Sequence, residues 1–158
     1  MDAAELKKQL ISQVITPFFK ENGFTKKGAK YSKKINHVIV EADIQSQRFY
    51  TEENVKSFRI NIGIYPDIPE NAKTRFIGIR HHTVFFEESG WITIDSHTNI
   101  EELKSELATK LDDALLAIEE SNDLDKLIIR AEAMSEIIRD GKTIEMLNGW
   151  LKAVRGQK

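Results

Sequence analysis

The strictest pattern in this chain is an alternation of apolar and polar positions from Ser57 to Tyr65, "SFRINIGIY". Phenylalanine and isoleucine occupy every second position from Phe58 to Ile64, and the positions between them are polar or glycine. Successive side chains of a strand point to opposite faces of a sheet, so only an extended strand sorts these residues into an apolar and a polar face. The pattern therefore predicts a half-buried strand at the centre of an antiparallel sheet.

Further strands are predicted on both sides of this segment. Residues 24–34 have the pattern of a first strand or hairpin arm, and the alternation resumes between His37 and Gln45. The segments 75–86 and 90–95 supply two or more additional strands, with a turn between them. Strands in direct succession favour hairpins, because a parallel crossover needs about a dozen or more connecting residues. The sequence therefore predicts about four to six antiparallel strands.

A helix is predicted before the strands. Residues 3–22 contain apolar residues at every third or fourth position, which is the period of a helix with one buried face. Pro17 is expected to kink or restart this helix, since it lacks the N–H donor and crowds the carbonyl group of Gln13. Gly23 is expected to end the helix in the left-handed conformation. The predicted apolar stripe consists of Leu6, Leu10, Val14 and Phe18, with Ile11 and Ile15 beside it.

The chain after residue 98 has a helical pattern. A capping residue, Thr98 or Asn99, is expected to begin a long helix whose apolar stripe extends to Ile118. Asp123 is expected to cap a second helix, and a short third helix is predicted over residues 143–154.

The order of helix, strands and helices is that of an α+β fold. We predict an N-terminal helix, an antiparallel sheet of about four to six strands, and two to three C-terminal helices packed on one face of the sheet. The length is that of one ordinary domain. Residues 1–158 are therefore predicted to form a single α+β domain, with the helix and sheet in residues 1–98 and a helical C-terminal part in residues 99–158.

Composition narrows the possible functions. The chain has no cysteine, which excludes disulfides, cysteine-ligated zinc and thiol catalysis. No apolar run approaches the roughly 20 residues that a membrane span requires. The amphipathic N-terminus contains acids and is predicted to be a helix rather than a signal peptide. A cytoplasmic protein with no membrane partner is therefore expected.

The net charge of −2 is unevenly distributed along the chain. Residues 1–34 carry eight lysines against three acids, a local charge of +5, whereas residues 99–158 carry nine basic and thirteen acidic side chains, a local charge of −4. Such an asymmetry can mark a polyanion site at the basic end. A weak attraction between the two ends of one domain is the favoured interpretation.

Polar side chains on the second face of the predicted sheet form the first candidate site. A carboxylate pair there can do acid–base chemistry only if burial separates the two pKa values, and an exposed Arg–Asp pair contributes little to stability. A platform for a protein partner is therefore favoured over an active site. The predicted binding residues are Glu41, Asp43, Arg59, Asn61 and Tyr65.

Histidines form a second candidate site, because a hairpin can bring His81 or His82 opposite Asp95 and His97. Two histidines and one carboxylate are a known metal-binding combination. Adjacent histidines of a strand point to opposite faces, so the candidate ligands are His82, Asp95 and His97. No spacing of the HExxH type supports a metal site. Surface or turn residues at strand ends are therefore the favoured interpretation, and no cofactor is predicted.

A lysine cluster surrounds Tyr31 in the first strand or hairpin arm. Basic groups interleaved with aromatic faces can hold single-stranded nucleic acid. However, the stretch has no arginine, which is the better phosphate ligand, and lysines on an edge strand discourage aggregation between sheets. Edge protection is therefore favoured, and a nucleic-acid partner is not expected. The cluster consists of Lys26, Lys27, Lys30, Lys33 and Lys34.

Four segments together carry a resemblance to a known family: "ITPFFKENGFTKKGAKYSKK", "SFRINIGIY", "TRFIGI" and "GWITID". On these residues the chain resembles the bacterial family catalogued as domain of unknown function 4304, from residue 10 to about residue 120. The resemblance implies no catalytic residues, since the family brings none to carry over. Some small bacterial proteins of this general type resemble immunity or toxin-associated partners.

The favoured hypothesis is a non-enzymatic module that binds another protein in an immunity or regulatory setting. The alternative is a small metal-assisted hydrolase, or a small-molecule-binding protein, that uses His81 or His82 with Asp95 and His97. The first hypothesis requires a contiguous surface, and the second requires a concave pocket where those side chains converge.

Overall fold

The computed structural model describes residues 2–47, 54–67, 79–82 and 91–120, together with scattered positions between 123 and 155. By its internal contacts the chain divides into two compact units, each made of three chain segments. The first unit contains Met1–Lys33, Glu41–Ile62 and His81–Leu116, and the second contains Lys34–Val40, Gly63–Arg80 and Ala117–Lys158. The single domain over residues 1–158 stays a prediction.

The N-terminal helix is divided into consecutive segments: α1 (Ala3–Leu10), a π-helical turn (Ile11–Ile15) and α2 (Thr16–Glu21). Asp2 caps α1, because its Oδ1 accepts from the Glu5 N–H at 2.8 Å while the Glu5 carboxylate accepts from the Asp2 N–H at 3.1 Å. This reciprocal pair satisfies two backbone donors that a helix start leaves unpaired.

The π-helical turn confirms that Pro17 interrupts the helix. Thr16, the residue before Pro17, donates its N–H to the carbonyl of Ile11, five residues back. The wider turn moves the buried face by one position: Ile15 and Phe19 are fully buried, whereas the predicted Val14 and Phe18 are only half-buried. A π turn holds an additional residue, so a regular helical period does not continue through it.

Gly23 follows the end of α2 in the left-handed conformation, with a φ of +84°, as predicted. The Phe24 N–H donates to the Phe19 carbonyl at 2.9 Å, and the Gly23 N–H donates to the Lys20 carbonyl at 3.1 Å. These two bonds define a Schellman motif, whose usual apolar contact is supplied by the Phe19 and Phe24 rings, 5.0 Å apart. Lys33 closes the same end, since its Nζ donates to the Asn22 carbonyl at 2.8 Å.

Within the described residues, six strands form one sheet in the order β1-β2-β3-β4-β5, and β6 also pairs with β4. The prediction of four to six strands is therefore confirmed. The pairs β1–β2 and β4–β6 are antiparallel. The strands are β1 (Thr25–Lys27), β2 (Lys30–Ile35), β3 (Val38–Ser46), β4 (Lys56–Pro66), β5 (Ile79–His82) and β6 (Ile92–Ile94).

Two-residue turns set the register of the first three strands. Gly28 in the β1–β2 turn has φ +62°, and both residues of the β2–β3 turn, Asn36 and His37, have positive φ of 43° and 66°. Two positive φ values define a type I′ turn, whose twist matches that of the flanking strands. The Ile44 N–H donates to the Ala29 carbonyl at 3.1 Å, as this register requires.

β4 confirms the predicted alternation. Phe58, Ile60, Ile62 and Ile64 are 0 to 2% exposed, so this face of the strand belongs to the core. The second face of the sheet is also covered at one end. Successive residues of a strand point to opposite faces, and the consecutive residues Val38, Ile39 and Val40 of β3 are all buried.

In the first unit, the core next to β2 is aromatic. The Phe19 and Tyr31 rings stack with centroids 4.6 Å apart, and Phe18 meets Phe19 edge to face at 5.2 Å. In the second unit, the Asp67 N–H donates to the His37 carbonyl at 2.7 Å, and Ile128 and Leu151 are buried.

The C-terminal part begins with α3 (Ile100–Glu119). Asn99, one of the two expected caps, accepts from the Glu102 N–H at 3.2 Å. The buried residues of α3 are Leu107, Leu111, Ala114 and Ile118. An N-terminal helix, an antiparallel sheet and a C-terminal helix make this an α+β fold, as predicted.

One C-terminal helix is delimited, rather than the predicted two to three. Most of residues 121–158, where the second and third helices were expected, lie outside the described residues. Among the helices that are described, none combines the length and the apolar composition that a membrane span needs.

We expect Ile60→Asp to abolish cooperative folding. Burial of an isoleucine contributes roughly 1.5–3 kcal/mol, and a carboxylate placed there is desolvated without a partner. Asn61→Asp puts the same charge one residue further, on the other face of β4, and is expected to fold. Thermal unfolding followed by circular dichroism compares the two, and equal midpoints would contradict the assignment of the faces.

We expect Gly23→Ala to destabilise the protein more than Gly28→Ala. Both glycines have positive φ, +84° and +62°, so each alanine costs about 1 kcal/mol of backbone strain. A Cβ at Gly23 would also lie 3.3 Å from Lys33 Cε, whereas a Cβ at Gly28 meets nothing within 4 Å. Urea unfolding measures the free energy of unfolding of both variants. The additional loss in Gly23→Ala reports the displacement of Lys33 from the Asn22 carbonyl.

Candidate functional site

Arg59 lies at the middle of the polar face of the sheet. It stands between the buried Phe58 and Ile60 on β4, so its side chain projects from the opposite face. Its Nε donates to Gln45 Oε1 at 2.8 Å, and Asn61 Nδ2 donates to the same oxygen at 3.0 Å. One amide oxygen of β3 therefore fixes two side chains of β4 at the solvent-exposed surface.

Trp91 contacts Arg59 from the chain segment that pairs with β4 through β6. The β4–β6 register sets Ser57 opposite Thr93 and Phe58 opposite Ile92, and one step further sets Arg59 opposite Trp91. The Arg59 guanidinium carbon lies 4.6 Å from the centroid of the half-buried Trp91 ring. This distance is within the range of a cation–π contact, in which arginine and tryptophan are the most effective pair.

A hydrogen bond between strands supports the stack. Ser57 Oγ and Thr93 Oγ1 are 2.9 Å apart, and Ser57 is buried while Thr93 is exposed. We refer to the side chains of Gln45, Arg59, Asn61, Trp91 and Thr93 as the Arg59–Trp91 surface.

The other predicted binding residues lie on the same strands. Glu41 and Asp43 precede Gln45 at alternate positions of β3 and therefore share its face; both are half-exposed. The described hydrogen-bond partner of Arg59 on β3 is the Gln45 amide rather than a carboxylate. Tyr65 belongs to β4, but its side chain lies outside the described residues.

The predicted metal ligands are described only in part. His82 belongs to β5, and its side chain, like that of His81, lies outside the described residues. Asp95 Oδ1 accepts from the His97 N–H at 2.8 Å and from Thr98 Oγ1 at 3.2 Å, within the turn that precedes α3. His97 is exposed. Among the described residues, no group of three or more His, Cys, Asp or Glu is arranged to hold a metal. The metal site stays a prediction.

The aromatic residue of the lysine cluster faces the core. Tyr31 is 0% exposed, and its hydroxyl lies 2.7 Å from Thr16 Oγ1. Burial raises the pKa of Tyr31, because the ionised phenol would lose its hydration. Phe24 is also buried. Neither ring is available to stack on a ligand.

The five lysines of the cluster have different environments. Lys33 Nζ lies 5.9 Å from the centre of the Phe24 ring while it caps α2, and Lys34 Nζ lies 3.7 Å from the Asp67 carboxylate. Lys26, Lys27 and Lys30 are exposed and make no ion pair or side-chain hydrogen bond with any residue in the described part of the chain.

The comparisons with known proteins give a family. The model of the family described as Domain of unknown function (DUF4304) matches residues 15–121. The chain belongs to this family. The DUF4304 match includes every residue of the Arg59–Trp91 surface and all six strands. Searches of the curated proteins and of the solved structures found no match.

Sequence reasoning missed three members of the surface in this DUF4304 chain: Gln45, Trp91 and Thr93. Gln45 shares the face of Glu41 and Asp43, but an amide carries no charge to single it out. Trp91 and Thr93 become visible only through the register with β4, because the residue numbers of paired positions sum to 150 in that antiparallel pair. The register of that strand pair identifies both residues.

Lys7 on α1 is a further group that the sequence did not indicate. Its Nζ donates to Ser46 Oγ at 2.5 Å and lies 5.9 Å from the centre of the Phe58 ring. Burial, and then the neighbouring Lys56, lower the pKa of Lys7. Its position shows that the α1 end of the first unit is packed against the start of β4.

We expect Arg59 and Trp91 to be energetically coupled. Arg59→Gln and Trp91→Leu each remove one partner of the stack, and the double variant should lose about 0.5–1 kcal/mol less than the sum of the single changes. Urea unfolding of the four proteins gives this coupling energy. Strict additivity would show that the two groups are neighbours without a stabilising contact.

Proposed function

We propose that this chain is a non-enzymatic module that binds another protein through the Arg59–Trp91 surface. The observation that carries the proposal is the stack of the Arg59 guanidinium on Trp91, 4.6 Å apart, between the exposed residues Gln45 and Thr93. Tryptophan, tyrosine and arginine are the residues that most often supply the binding energy of protein interfaces.

The arrangement also lowers the entropic cost of binding. Arginine has many rotamers, and ordering such a side chain costs about 0.5–1.5 kcal/mol when a complex forms. Gln45 holds Arg59 at 2.8 Å and Trp91 supports it from the side, so part of this cost is already met in the free protein. A preorganised arginine beside a half-exposed aromatic ring is suited to bind a partner of complementary shape.

The proposal includes features that the sequence indicates beyond the described residues. We infer a bacterial, cytoplasmic protein whose partner belongs to an immunity or regulatory system. Two to three helices are proposed for the C-terminal part, packed on one face of the sheet. The geometry of Asp95 gives less support to the metal-assisted alternative, because its Oδ1 already accepts two hydrogen bonds in its own turn.

Site-specific cross-linking tests the proposal. A photoreactive phenylalanine analogue replaces Thr93, which is exposed on the Arg59–Trp91 surface, or Thr109, which is exposed on α3 and serves as the matched control. In cells that naturally produce the protein, we expect a discrete protein adduct from position 93 and none of that mass from position 109. Mass spectrometry of the adduct identifies the partner.

Arg59→Ala provides the second control. It should remove the position-93 adduct while the thermal midpoint shows that the protein remains folded. An adduct that forms equally from both positions, or that persists without Arg59, would contradict a binding role for this surface.

A further inference from the structure

Two lysines face each other across the β1–β2 hairpin. Lys27 and Lys30 are register partners on either side of the Gly28–Ala29 turn, and both are exposed. Like charges directly opposite in an antiparallel pair repel each other. Within the described part of the chain no carboxylate lies within ion-pair distance of either lysine, although Asp43 stands opposite Lys30 on β3. An anionic group that binds between them removes this repulsion.

This lysine pair lies on the same face of the sheet as Arg59. Lys30 precedes the buried Tyr31 on β2, and Arg59 lies between two buried residues of β4, so both project away from the core. Three strand spacings separate β1 from β4 in the sheet order, a distance of roughly 14 Å. The Arg59–Trp91 surface and the lysine pair are therefore within reach of one ligand.

We propose that the partner of the Arg59–Trp91 surface presents an acidic segment that Lys27 and Lys30 bind. The inference rests on the proposed function and adds the chemistry of the partner. An extended peptide rises about 3.3 Å per residue, so roughly four to five residues connect a carboxylate at the lysine pair to one at Arg59.

Asp43 distinguishes an acidic protein segment from a nucleic acid. The two-residue turn between β2 and β3 sets Asp43 opposite Lys30, and therefore between the lysine pair and Arg59. A nucleic acid carries a charge on every nucleotide, so its backbone would meet this carboxylate. A peptide can place a neutral residue there and acids on either side.

The described aromatic residues beside the hairpin point the same way, because they are buried. Single-stranded nucleic acids bind where bases stack on exposed aromatic rings between basic groups. Tyr31 and Phe24, the aromatic residues nearest these lysines in sequence, are 0% and 5% exposed. The hairpin offers point charges alone, which suit carboxylates of a protein partner.

A peptide titration tests the inference. The probe is a fluorescent peptide of about 12 residues in which glutamate alternates with serine, long enough to reach from the hairpin to Arg59. Fluorescence anisotropy at low ionic strength compares the wild type with Lys27→Gln/Lys30→Gln. Lys8→Gln/Lys20→Gln is the matched control, because it removes the same charge from two lysines that are also exposed.

We expect the hairpin variant to bind the glutamate peptide about fivefold more weakly, and the control variant to bind it like the wild type. Equal weakening in both variants would overturn the inference, since net charge alone would explain it. Absence of binding to the wild type would also overturn it. A single-stranded oligonucleotide of equal length that binds more tightly, and depends on Lys27 and Lys30, would assign the hairpin to nucleic acid instead.

These outcomes are separable from those of the proposed function. Suppose that the position-93 adduct still forms in the Lys27→Gln/Lys30→Gln variant, and that the wild type does not bind the glutamate peptide. The protein-binding role would then stand, and the acidic segment of the partner would be rejected. Loss of that adduct in Arg59→Ala, together with its weakening in the hairpin variant, supports both.

Discussion

The burial of alternate side chains along β4 is the constraint on which the rest of this structure depends. β4 pairs with β3, β5 and β6, so the orientation of its residues sets the orientation of its neighbours. Phe58, Ile60 and Ile62 must face the core, and Arg59 and Asn61 must therefore face outward. A shift of register by one residue would exchange the two faces and bury the arginine, which explains why the pattern fixes the surface as firmly as it fixes the core.

Features that depend on one residue and its immediate neighbours were predictable from the sequence. The two faces of β4 follow from a period of two, the left-handed Gly23 follows from its place after a helix, and the interruption by Pro17 follows from its missing donor. Each of these is decided by local stereochemistry. The α+β order follows in the same way from the succession of patterns along the chain.

Features that depart from a regular local pattern, or that depend on two distant segments, were not predictable. The helical stripe was assigned with a regular period, which a π turn breaks. After Leu10 the fully buried residues are Ile15, which was predicted beside the stripe, and Phe19, rather than Val14 and Phe18. Asn36 and His37 form a type I′ turn without the Asn-Gly sequence that usually announces one. Trp91 was not among the predicted binding residues, because its partner is decided by the register between β4 and β6, which composition does not reveal.

The hydrogen bonds of Gln45 give the surface a chemical polarity. Its Oε1 accepts from both Arg59 Nε and Asn61 Nδ2, which fixes the orientation of the amide. The side-chain oxygen of Gln45 is thus engaged by two donors inside the surface. One glutamine therefore holds two side chains of the next strand through a single atom, so Gln45→Glu, which replaces only the amino group beside that atom, would alter the charge of the surface without altering its shape.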